Sequence, residues 1–232
     1  MALNDQVRFT WVGHGTWKIR TAGGKDIMID PWLSCPTTPE HLRSVDRLDI
    51  MLLTHGHFDH INDAVEVAKA TGCKVVGTLE MGGWLGRQGV SEDNIVSMFQ
   101  GGTVELDGIQ LTMVHAEHGA GFPDGSTAGT PVGYVITFEN GFKIYFSGDT
   151  DVFGDMALIR ELEQPEVAFL SIGDHFTMGP RRAAKAVELL GVKTVVPMHF
   201  GTFPLLHGTP AQLEELTGPG VTVLNIKPGD EV

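Results

Sequence analysis

The segment Thr54-His55-Gly56-His57-Phe58-Asp59-His60 constrains this chain more than any other. Four side chains able to bind a metal fall within six residues, directly after residues 50–53, a continuous apolar run suited to a strand buried on both faces. In extended chain, residues two apart point the same way, so His55 and His57 can reach one ion together. Asp59 and His60 follow once the chain begins to turn, and can serve a second ion nearby. Imidazole and carboxylate suit divalent zinc, and also manganese or iron. No thiolate takes part, which argues against a structural zinc knuckle. A polar loop whose histidines hydrogen-bond locally would explain one His, but not four such groups in this register.

One loop cannot complete two metal sites, so further ligands are expected from other strand ends. His118 follows an apolar run at 109–114. Asp149 follows one at 143–146, in Ser147-Gly148-Asp149-Thr150. His199 follows one at 194–198. Each stands just past a predicted strand in a glycine-containing loop.

The strands themselves recur in two similar series. Runs at 7–12, 16–21 and 26–29 read as strands, with Ala22-Gly23-Gly24-Lys25 as a hairpin turn. Residues 62–71 read as a helix stopped by Gly72, and 74–77 as a strand. In the second series, 109–114, 134–138 and 143–146 are strands, with Asn140-Gly141 as a turn. A helix at 153–162, a strand at 167–172 and a helix at 180–190 follow; Pro180 and Gly191 mark the ends of that second helix. A strand at 194–198, a helix at 210–216 and a strand at 221–224 complete the pattern. Hairpins followed by alternating strands and helices, twice over, predict an α/β fold of two facing mixed sheets with helices outside. No linker marks a boundary, so residues 1–232 are expected to form a single domain.

Composition narrows the partners. With 16 Lys and Arg against 29 Asp and Glu, the formal net charge is −13. Such a surface repels phosphate backbones, so nucleic acid is not an expected partner. Cys35 and Cys73 are the only cysteines and form no CxxC pair, as in a reduced, cytoplasmic protein. No apolar leader opens the chain and no run reaches the roughly 20 apolar residues of a membrane span. A cytoplasmic protein acting on a small molecule is expected.

The set His55-x-His57-x-Asp59-His60, then His118, Asp149 and His199, resembles the metallo-β-lactamase superfamily in order and rough spacing across almost the whole chain. Val12-Gly13-His14-Gly15, Ile29-Asp30-Pro31, Gly148-Asp149-Thr150, Val196-Pro197-Met198-His199 and the string from Gly173 to Pro180 resemble more narrowly a bacterial and archaeal family of metal-dependent hydrolases. That family is related to ascorbate-6-phosphate lactonases and N-acyl-phosphatidylethanolamine phospholipase D. The resemblance implies an αββα sandwich with two divalent metals, zinc first and manganese or iron as alternatives, at one edge of the paired sheets. It further implies that His55, His57 and His118 hold one ion, that Asp59, His60 and His199 hold the other, and that Asp149 bridges them. Two such ions about 3.5–4 Å apart share a hydroxide that attacks a carbonyl carbon or phosphorus. A small ester, lactone or phosphoester is the implied substrate, with Asp59 orienting the nucleophile or passing on its proton.

Around this set, Asp30 is expected to support the ligating histidines as an acceptor. His175, in a Gly-Asp-His-Phe loop, is a candidate to touch substrate or donate a proton. His14 and His207 are weaker candidates; Asp174 is placed to fix loop geometry, His115 is expected to be structural, and His41 a surface residue. Gly179-Pro180-Arg181-Arg182 opens a helix whose N-terminus is suited to an anion. Many relatives are expected to carry a serine pair after the third ligating His; here Gly119-Ala120 stands instead. A nuclease is disfavoured by the net charge, and a non-catalytic metal module by the complete ligand set. A redox di-iron protein is disfavoured because such relatives carry Glu where His57 stands.

Overall fold

In the computed structural model, which describes residues 2–232, buried strand faces build two sheets around a shared core. The first sheet contains β1 (Arg8–Gly13), β2 (Thr16–Arg20), β3 (Asp26–Ile29), β4 (Ile50–Leu52), β5 (Lys74–Thr78) and β6 (Ile95–Met98), in that spatial order. β1 to β3 are antiparallel, whereas β3 to β6 are parallel. The second sheet runs in consecutive order from β7 (Thr103–Leu106) through β8 (Ile109–His115), β9 (Val132–Thr137), β10 (Lys143–Phe146), β11 (Val167–Ser171) and β12 (Thr194–Met198) to β13 (Thr222–Val223). It too begins antiparallel and turns parallel after β10.

β4 shows why the sheets stack as they do. Ile50 and Leu52 point into the core between the sheets, where Phe9, Trp17, Phe146 and Phe169 also lie. Met51 and Leu53 point the other way, beneath α2 (Ala64–Thr71) and α3 (Leu79–Arg87). On the second sheet, Tyr145, Ala168, Leu170 and Val195 pack outward beneath α4 (Met156–Glu163), α5 (Pro180–Leu190) and α6 (Pro210–Thr217). The layers are therefore helix, sheet, sheet, helix, as the two predicted series imply. Burying each large apolar side chain contributes about 1.5–3 kcal/mol, so the three clusters supply the main stabilising term.

The structure departs from the sequence reading in three places. The helix expected over 62–71 is preceded by a separate turn, α1 (Phe58–Ile61), whose N-cap is His57. The ligand-rich loop is thus partly helical. Helix α3 and strands β6 and β7 were not anticipated. Helix α4 begins at Met156, after Gly154 and Asp155, instead of at 153. Cys35 and Cys73 are both buried and unbridged. No helix among the described residues is long and apolar enough to cross a membrane.

The two sheets meet by backbone hydrogen bonds at one edge. His199 N donates to His14 O at 3.1 Å, and Val132 N donates to Thr54 O at 3.0 Å. Both bonds lie where strand ends deliver the polar side chains described next.

Candidate metal centre

Seven residues predicted from the sequence as ligands converge at this edge. His55 and His57 leave the end of β4, and Asp59 and His60 sit in α1. His118, Asp149 and His199 follow β8, β10 and β12. The ligand atoms of His55, His57 and His118 lie within 4.8 Å of one another. A second group within the same limit comprises Asp59, His60, His199 and also His14. Asp149 stands between the groups. Its Oδ2 is 3.6 Å from His118 Nε2, 3.4 Å from His60 Nε2 and 3.0 Å from His199 Nε2.

The chemistry of these atoms fits a metal. His60 Nε2, both ring nitrogens of His199 and Asp149 Oδ1 are buried and make no hydrogen bond. Buried polar atoms are nearly always satisfied, so unpartnered atoms on three neighbouring candidate ligands call for a further partner. Neutral imidazole and carboxylate are the donors zinc takes. Burial lowers the pKa of His55, His57 and His118, favouring the neutral form that carries a free lone pair. Burial opposes the charge on Asp59 and Asp149, but the imidazoles facing them outweigh it and hold both carboxyls well below the usual range. Carboxylates overcome burial to raise both remaining imidazoles: Asp149 and Asp30 raise His60, and Asp149 and Asp59 raise His199. The second group therefore draws in positive charge, and a divalent cation competes with protons to supply it.

Asp30 fixes which ring nitrogen is free. It is fully buried at the end of β3, and three donors converge on it. Thr54 N reaches Oδ1 at 2.8 Å; Thr54 Oγ1 and His60 Nδ1 reach Oδ2 at 2.6 and 2.8 Å. Burial raises this carboxyl, and His60 and Thr54 pull against the rise. Because Thr54 Oγ1 donates its proton to Asp30, it must accept the proton of His55 Nδ1, 2.9 Å away. One carboxylate thus holds the Nδ1 proton of His60 directly and that of His55 through Thr54, so that Nε2 is the nitrogen each ring turns toward the cluster, and on His60 a cation there displaces the second proton. A third grouping of Asp30, His55 and His60 by proximity is accounted for by these bonds.

His14, a weaker candidate by sequence, donates from Nε2 to Asp59 Oδ2 at 2.9 Å. Burial and then His199 lower its pKa to about 4, against the pull of Asp59, so the ring is neutral. With its one proton on Nε2, Nδ1 accepts from Thr202 Oγ1 at 2.9 Å. Nothing in the sequence pointed to Thr202. His14 thereby orients Asp59 and has no lone pair left for a cation. Gly15 beside it is required by close approach: a Cβ there would stand 2.7 Å from His60 Cε1. His14, Asp30 and His199 all adopt positive φ, at 52°, 48° and 56°. Such backbone is uncommon outside glycine and here turns each side chain back across a strand end.

The remaining candidates lie elsewhere. His175 is exposed, with its ring edge-on to Phe176 at 4.5 Å. Asp174 is exposed and accepts from the backbone N of His175. His207 lines a separate hollow with Arg181, Arg182 and Lys185. His115 is exposed and pairs with Glu117, and His41 lies on the surface.

A family model described as a β-lactamase superfamily domain matches residues 25–200. The chain is 47% identical over 240 aligned residues to a UPF0173 metal-dependent hydrolase of Roseiflexus castenholzii, covering 99% of this chain and 98% of that one. It is 48% identical over 228 residues to a UPF0173 metal-dependent hydrolase of Koribacter versatilis, covering 97% of each. Among solved structures, Igni18, a metallo hydrolase from the archaeon Ignicoccus hospitalis, matches with a TM-score of 0.86 at 32% identity, over 97% of each chain. The chain therefore belongs to the metallo-β-lactamase superfamily, as one of its metal-dependent hydrolases.

Proposed function

We propose that this hydrolase uses two metal ions to cleave an ester, lactone or phosphoester bond in a small molecule. In this reading His55, His57 and His118 hold one ion, Asp59, His60 and His199 hold the other, and Asp149 is shared. The observation that carries it is the position of Asp149 Oδ2, within 3.6 Å of a nitrogen from each group. Divalent cations held by these residues would supply Lewis-acid chemistry, lowering the pKa of a water from 15.7 toward roughly 7 and stabilising the developing oxyanion. Asp59 orients the attacking water and takes part in moving its proton, with His14 and Thr202 fixing the carboxylate. Asp30 and Thr54 hold the Nδ1 protons of His60 and His55, which turns the Nε2 atoms toward the ions. His175, whose neighbour Phe176 lines the cavity, is assigned in this reading to touch substrate or donate a proton. Zinc is the first choice of metal. We take the protein to act as a single domain, in the cytoplasm, on a free small molecule and not on nucleic acid.

The test is metal analysis of the purified protein together with an ester and phosphoester screen of the wild type, Asp59→Ala and His41→Ala. About two metals per chain are expected, with hydrolysis lost in Asp59→Ala and retained in His41→Ala. One metal or fewer per fully active chain, or an active Asp59→Ala, would refute the reading.

A further inference from the structure

The metal cluster forms the floor of a cavity of about 700 Å³. That is within the range of sites that enclose a small organic ligand, roughly 300–1,000 Å³. Above the metal-binding residues its walls are apolar: Phe58, Phe122, Pro123, Phe176, Phe203 and Leu205. No lysine or arginine lines it. The basic side chains of Arg181, Arg182 and Lys185 face a different hollow. There Arg182 is paired with Asp151, and Lys185 with Glu188.

The walls are held in place before any ligand arrives. Phe122 stacks on Trp84 at 4.4 Å and 8°, and Trp84 Nε1 donates to Asp124. Phe58 packs edge-on to Trp32 at 5.6 Å, and Phe203 stacks on the same indole at 5.9 Å. At the mouth, Phe58, Phe176 and Leu205 remain 50%, 51% and 45% exposed. Large apolar side chains grouped at the opening of a metal site mark a binding surface. Arginine and lysine are the strongest side-chain donors to a phosphate or carboxylate arm, and this lining has neither. The net charge of −13 adds long-range repulsion of anions.

We infer that the cavity selects an uncharged carboxylic ester carrying an apolar aryl or medium-chain acyl arm, and discriminates against substrates with an anionic arm. This rests on the hydrolytic reading above and narrows it. Water adds across the acyl C–O bond; the carbonyl carbon gains the hydroxyl and the leaving oxygen takes the proton, so no redox partner is needed.

The experiment uses the metal-loaded full chain. First, kcat/KM is measured for p-nitrophenyl acetate, butyrate and hexanoate, and for the hemisuccinate ester, which has the four acyl carbons of butyrate but ends in a carboxylate. A rise of roughly threefold to fourfold per methylene is expected, with the hemisuccinate at least about tenfold below the uncharged ester of similar length. Leu205→Lys, at a half-exposed position, should narrow that gap by raising hemisuccinate turnover. Second, binding of uncharged methyl ketones of increasing length is followed by tryptophan emission, because Trp32 and Trp84 pack on the walls. Affinity should climb by the same factor per methylene. Esters cleaved without regard to chain length, or the hemisuccinate cleaved as well as its neutral counterpart, would overturn the inference while leaving the hydrolytic reading intact. Length-dependent ketone binding with no ester cleaved would uphold the apolar cavity and overturn the reaction. Ketones that bind without length dependence would overturn the cavity assignment whatever the activity.

Discussion

Replacing Asp30 by Asn tests the tautomer logic of the site with little change of shape. Asn tolerates the φ of 48° at this position, so the backbone is not the variable. The amide oxygen can still accept from Thr54 N. The amide nitrogen, however, takes the place of Oδ2 and faces Thr54 Oγ1 and His60 Nδ1, both donors in the parent. The hydroxyl must turn and donate to His55 Nδ1, and both rings must move their protons to Nε2, the nitrogens aimed at the cluster. Loss of such a supporting partner typically weakens metal binding by about 10–100-fold. Here one histidine from each ion's set is affected, so both ions should weaken. Exchanging two charge-assisted bonds for neutral ones should lower stability by about 1–3 kcal/mol, a fall in Tm of roughly 2–12 °C for a chain of this size. Chelator competition gives the affinities and calorimetry the Tm. Thr54→Val is the partial control, since it cuts only the relay to His55. An Asp30→Asn protein that folds and binds both metals within about twofold of the parent would refute the argument, because the expected loss is at least about tenfold.

Other consequences follow from the same geometry. Gly15→Ala should leave the chain folded but press on the buried His60 ring; metal analysis should show about one ion per chain instead of about two, and an unchanged count would show that the ring can yield. Removing the metals with a chelator should lower Tm reversibly, by about 2.7 kcal/mol of stability for each ion whose free concentration had stood at 100 times its Kd; an unchanged Tm would mean that no ion was bound. Asp124 accepts from Ser126 Oγ and N and from Trp84 Nε1, which hold its carboxyl below the ordinary value. A depressed carboxyl stabilises above its unfolded pKa and loses that contribution as pH falls through the folded one. Trp84 emission should therefore stay flat on acidification until the carboxylate range is passed, and a transition above about pH 5 would contradict this. Asp124→Ala should raise KM for apolar esters more than it lowers kcat, since it loosens the Trp84 support of Phe122; an unchanged KM would contradict the role given to that stack.

The ligand set was legible because each member follows an apolar run long enough to be read as a strand, and strand ends in such folds lie along one edge. Helix α5 was equally plain, with Pro180 at its start and Gly191 at its end. Helix α3 was hidden by Gly82, Gly83 and Gly86, each costing roughly 1 kcal/mol in a helix. Packing explains at least Gly82, where any side chain would collide with Ser97 and Ile95 of β6. β7, with alternating half-exposed faces, lacks the apolar signal that identified its neighbours. His14 and Thr202 were obscure for another reason: they lie 188 positions apart, and only docking of the sheets brings them together around Asp59. The apolar cavity wall likewise comes from distant loops whose residues show no local period.

The hydrogen bonds from His199 N to His14 O and from Val132 N to Thr54 O tie the two halves of the polypeptide along the edge that bears the cluster. Each group of candidate ligands is split across that seam: His118 joins two histidines from the other half, and His199 joins Asp59 and His60. An isolated half therefore has no complete coordination set to offer. A cation that needs either set in full is therefore held only when both leaves are in place, as a rivet needs both plates.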